Sequence, residues 1–96
     1  MTWIPTIPVH EATGELLQAY HDVYALYPPE YRVEVAAITR PDGGADSIVA
    51  AHSLIPRALR HSMSAFGAMI TSDLPLTRRQ HEMIATVVSA LNGCFY

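Results

Sequence analysis

A single sulfur atom sets the chemistry open to this sequence. Cys94 is the only cysteine in 96 residues and follows directly on Asn92-Gly93, a pair that commonly takes the left-handed geometry closing a helix. If the chain turns there and a new helix starts, the sulfur lies near unpaired backbone N–H groups at the positive end of a helix dipole. Both favour the thiolate, which is the reactive form. Glu82 stands twelve residues earlier, about 18 Å away along an unbroken helix at its usual rise per residue. A reversal at Asn92-Gly93 is what would carry the next helix back toward Glu82, whose carboxylate could then accept a proton from a thiol or from a water beside it.

Each of these residues also has an ordinary explanation. A lone cysteine is often a small, inert, buried hydrophobe. A glutamate near the start of a helix is often only a solvated carboxylate stabilised by the dipole. The histidines His10, His21, His52, His61 and His81 form no i, i+4 pair and have no second cysteine to join, so no metal site is expected. His81 projects about 100° around the helix from its neighbour Glu82 and is expected to face solvent. The tyrosines and methionines at helical spacing read as core or interface, and no cofactor is expected.

The elements that would position these groups read as helices. Trp3 to Val9 carries Pro5 and Pro8, which remove backbone donors and fix φ, so the chain opens as an extended arm. Thr13 offers an N-cap and Leu16, Leu17, Tyr20, Val23, Tyr24 and Tyr27 recur at helical spacing, predicting a helix over 13–27 that Pro28-Pro29 stops. Tyr31, Val33 and Val35 alternate as in a strand, while Val35, Ala36 and Ile38 suit a short helix, and periodicity does not choose between them. Pro41-Asp42-Gly43-Gly44 is a turn. Asp46 or Ser47 would cap a short helix through His52, and Pro56 suits the first turn of another with Leu59, Met63, Phe66 and Ile70 on one face. Thr77 and Gln80 form a capping box, and Met83, Ile84, Val87, Val88 and Leu91 continue the helix to Asn92-Gly93.

Composition closes off other classes. Six Lys+Arg against nine Asp+Glu leave a net charge of -3 with no basic stripe, which argues against nucleic-acid binding. No apolar run approaches the ~18 residues of a membrane span, and Met1 to Pro8 lacks the pattern of a signal peptide, so a cytoplasmic location is expected. A chain of this length folds as one domain with little core to spare. So much apolar helix surface on so short a chain predicts that another subunit covers some of it, making a homo-oligomer.

The block from Leu76 to Tyr96, LTRRQHEMIATVVSALNGCFY, resembles the opening of the active site in the AhpD-like, or carboxymuconolactone decarboxylase, superfamily. Glu82 and Cys94 match the glutamate and the first cysteine of that family's Cys-x-x-Cys motif, with Phe95-Tyr96 as the spacer. Glu-Ala-Thr-Gly-Glu-Leu at 11–16 is more weakly similar to the first helix of the peroxidase-related branch, and 32–53 carries no family motif. The second cysteine would be residue 97, and the family histidine would follow, so neither is carried over. A selenocysteine codon at position 97 read as a stop is one origin of that ending. Truncation, proteolysis or a frameshift are the others, and sequencing past codon 96 separates them.

The resemblance implies an all-α, AhpD-like helical domain, present in part over 1–96, with an extended amino-terminal arm. It also implies an antioxidant-type oxidoreductase that reduces a peroxide or a partner disulfide at the expense of a thiol reductant. Cys94 would be the reactive thiol and Glu82 the proton acceptor. The alternatives are a non-enzymatic helical association module and carboxymuconolactone decarboxylase chemistry, which shares the fold without depending on a cysteine pair.

Overall fold

The computed structural model describes residues 3–32, 41 and 47–94. Among these the chain forms four α-helices, α1 (Gly14–Ala25), α2 (Ser47–Ala51), α3 (Pro56–Ile70) and α4 (Arg78–Leu91), with 3₁₀ turns at Val9–Glu11 and Pro29–Arg32 and no strand. The expected all-α class holds for the described residues. None of their helices is long and apolar enough to cross a membrane. The strand-or-helix stretch beyond Arg32 and the Asp42-Gly43-Gly44 turn lie outside the described residues.

α1 turns one face inward because Leu16, Ala19, Tyr20 and Val23 follow the i, i+3, i+4, i+7 rule, and all four are buried. Thr13 precedes it in extended backbone but makes no side-chain cap, and the helix opens on Gly14 at φ 54. The helix ends at Ala25 rather than at Tyr27. The ring of Pro28 disfavours helical backbone at the residue before it, which takes Tyr27 out of the helix.

α3 starts on Pro56, whose missing N–H costs nothing in a first turn, and buries Leu59, Met63 and Gly67. Its companion face, Phe66 and Ile70, is only partly covered. α1 packs directly on α3. With Val49 and Ala50 of α2 and Ala12 they form one apolar core.

The inner part of the arm, at Ile7 and Val9, folds against this core, while Trp3 is fully exposed. The Ile7 N–H donates to Ser53 Oγ at 2.8 Å, and the hydroxyl of the fully buried Tyr20 donates to the Ile7 carbonyl at 2.6 Å. Between them these bonds satisfy the polar ends that two buried side chains would otherwise leave unpaired. Burial pushes the Tyr20 phenol above its ordinary pKa. Across the other side of the helix pair, Arg60 of α3 meets Asp22 of α1 with Nε 3.0 Å from Oδ2.

α4 forms as its sequence demands. Thr77 Oγ1 accepts from the Gln80 N–H at 3.3 Å, and Gln80 Oε1 accepts from the Thr77 N–H at 2.8 Å. Yet α4 buries none of its residues completely. It is well capped and thinly packed.

Candidate functional site

The far end of α4 presents the cysteine. The Gly93 N–H bonds to the Ala90 carbonyl at 3.2 Å and the Cys94 N–H to the Ser89 carbonyl at 2.9 Å, with Gly93 at φ 63. This is a Schellman closure: glycine takes the left-handed position and two otherwise free carbonyls are satisfied. The expected turn at Asn92-Gly93 is therefore present. Cys94 leaves it as an exposed free thiol. Its described surroundings are the carbonyl end of α4, which carries partial negative charge. Phe95 and Tyr96, whose amides would have to supply the opposing field, lie outside the described residues.

Glu82 sits near the other end of the same helix and has a different partner. The Tyr31 hydroxyl donates to Glu82 Oε1. Arg78, one turn before Glu82, lays its guanidinium 5.3 Å from the centre of the Tyr31 ring and donates from Nη1 to the phenol oxygen at 3.4 Å. Tyr31 is itself placed by a run of rings, Tyr20 to Tyr24 at 6.2 Å between centres, Tyr24 to Tyr27 and Tyr27 to Tyr31 at 6.3 Å each, which climbs from the core to α4. Burial raises the Tyr31 pKa above its ordinary value; the bond to Glu82 and its charge push the same way, while Arg78 opposes them.

The structure does not bring the two sequence-derived site residues together. α4 runs unbroken from Glu82 to Leu91, about 13 Å of helix, before the turn that carries Cys94. Neither Tyr31 nor Arg78 is singled out by the sequence. The i, i+4 spacing of Arg78 and Glu82 was visible as a helical ion-pair pattern. Tyr31, 51 positions away, carried no local signal.

His81 corrects an expectation. Its two ring nitrogens are buried and have no hydrogen-bond partner, so the side chain does not face solvent. It lies on the wall of an apolar groove of about 520 Å³ between α3 and α4, with Phe66, Met69 and Ile70 on one side and Ile84, Ala85 and Val88 on the other. The physical reason is rotation. The apolar residues of α4 cover a wide arc, and the Ile84–Val88 edge of that arc turns toward α3, which carries the adjacent His81 inward.

A second cavity of about 740 Å³ opens beside Leu26, Tyr27, Glu30, Ser64, Thr71 and Arg78. Among the described residues no group of three or more His, Cys, Asp or Glu side chains is arranged to hold a metal ion. No family model, curated protein or solved structure matches the chain.

Proposed function

We propose that this chain is a thiol oxidoreductase of the AhpD-like, peroxidase-related kind, with Cys94 as its nucleophile. The observation that supports this reading is the exposed thiol on a capped turn at the end of α4, at the position where the sequence resembles the family's first active-site cysteine. In the proposed reaction the Cys94 thiolate attacks the O–O bond of a peroxide. The sulfur becomes a sulfenic acid and the other oxygen leaves as water or an alcohol. A first molecule of an external thiol then forms a mixed disulfide with release of water, and a second restores Cys94 and leaves as the oxidised reductant.

Glu82 is the proposed proton acceptor, but α4 holds it away from Cys94 within one chain and Tyr31 occupies its Oε1. The two assignments are therefore tested separately. Peroxide consumption with dithiothreitol as reductant is expected for the wild type and lost on Cys94→Ser. Loss on Glu82→Gln as well supports the carboxylate as acceptor, and retention removes Glu82 from the mechanism. Activity that survives Cys94→Ser would overturn the thiol mechanism, and no activity in the wild type would return the chain to the association-module reading.

A further inference from the structure

Tyr31 joins the ring run from the core to two charged side chains of α4. Its hydroxyl donates to Glu82 Oε1, so the phenolic proton already points at a carboxylate. Arg78 holds its guanidinium 5.3 Å from the ring centre and donates from Nη1 to the same phenol oxygen at 3.4 Å. The residue is 40% exposed, which leaves it open to a reagent from solution. We propose that Tyr31 is a redox-active tyrosine, oxidised by one electron while its proton passes to Glu82 in the same step.

The surroundings disfavour both stepwise routes and leave the concerted one open. Losing the electron first would put a positive charge on the ring beside the Arg78 guanidinium, and like charges at this range repel. Losing the proton first is disfavoured as well, since burial, the bond to Glu82 and the Glu82 charge hold the phenol above its ordinary pKa against the opposing pull of Arg78. Moving both together leaves a neutral ring, a protonated Glu82 and a phenoxyl oxygen that still accepts from Arg78. Tyr20 is the contrast. Its hydroxyl donates to the Ile7 carbonyl, a neutral acceptor that does not keep a proton.

One outside oxidant and one outside reductant balance the cycle. A one-electron oxidant, such as an organic peroxyl radical, takes the electron and becomes its anion, leaving Tyr31 as a neutral phenoxyl radical and the proton on Glu82. A one-electron donor such as ascorbate then returns the electron to the phenoxyl oxygen, and Glu82 returns the proton. The rings behind Tyr31 extend the site inward. Tyr27, Tyr24 and the buried Tyr20 follow at 6.3, 6.3 and 6.2 Å between successive centres, so an electron can move outward from Tyr20 in short steps between neighbouring rings. An oxidation begun at Tyr20 is therefore trapped at Tyr31, where a base stands at the oxygen.

This role uses no thiol, so it stands or falls independently of the oxidoreductase reading. The test takes the full chain carrying Cys94→Ser and Trp3→Phe, which removes two exposed competitors for the oxidant. With photogenerated tris(bipyridine)ruthenium(III) as the probe, freeze-quench electron paramagnetic resonance is expected to show a tyrosyl radical that forms more slowly in heavy water. A nitroso spin trap should leave its adduct chiefly on Tyr31, located by fragmentation of the labelled peptide. Glu82→Gln keeps an oxygen for the Tyr31 hydroxyl but cannot take its proton. It is expected to slow radical formation about tenfold or more with an unchanged far-ultraviolet circular dichroism spectrum. An adduct chiefly on other tyrosines, a rate indifferent to heavy water, or a rate that Glu82→Gln leaves unchanged would overturn the proposal.

Discussion

At the scale of single residues, the side chain that fits its surroundings least is His81. Imidazole nitrogens removed from water without a partner cost about 1–3 kcal/mol, because the hydrogen bonds they made to solvent are not replaced. Leucine at this position would meet Phe66, Met69 and Ile70 with carbon alone. His81→Leu is expected to raise stability by about 1–2 kcal/mol in urea unfolding. A destabilised variant would show that the ring is held by a contact the apolar wall does not explain. Nothing along the chain signals this burial, because a histidine beside a glutamate in a helix looks like surface until the rotation of that helix is known. Tyr31 hides for a related reason: its bond to Glu82 is made by tertiary placement, through rings that step up from Tyr20, and not by any spacing along the chain.

At the scale of elements, the sequence was most readable where one turn of chain decides the outcome. Pro56 at a helix start, Thr77 reciprocally bonded with Gln80, and Gly93 at φ 63 are each satisfied by atoms within a few residues. Gly14 marks the limit of such reasoning, since the helix opens there at positive φ and Thr13 makes no side-chain cap. Because α4 buries no residue fully, its integrity depends on its ends more than that of α1 or α3 does. Thr77→Ala is expected to cost about 1 kcal/mol through the lost cap. Gly93→Ala is expected to cost about 1–2 kcal/mol through backbone strain alone, since an added Cβ would meet nothing within 4 Å. Both losses should appear as faster amide exchange along α4, with exchange in α1 and α3 unchanged. Equal acceleration in all three helices would mean that α4 opens only with the core.

At the scale of the whole molecule, the arm, α1, α2 and α3 share a core, while among the described residues α4 is attached through Tyr31 and the half-open groove. The core is also clamped by charge. Asp22 has its pKa lowered first by the hydrogen bond from Gln18 at 2.9 Å and further by the hydrogen bond and charge of Arg60, and burial opposes this only in part. A carboxyl whose folded pKa lies below its unfolded value releases its proton on folding. Its contribution is therefore complete above the ordinary aspartate pKa of about 4 and disappears as pH falls through the depressed value. Asp22 is solvent-exposed and screened, so the effect is small. Asp22→Asn keeps an oxygen for Gln18 but removes the charge facing Arg60. Its urea midpoint is expected to fall slightly below that of the wild type at about pH 7 and to converge with it in acid, once Asp22 of the folded wild type is protonated. A constant gap between the two proteins over that range would locate the loss in packing or geometry instead of in the Asp22 charge.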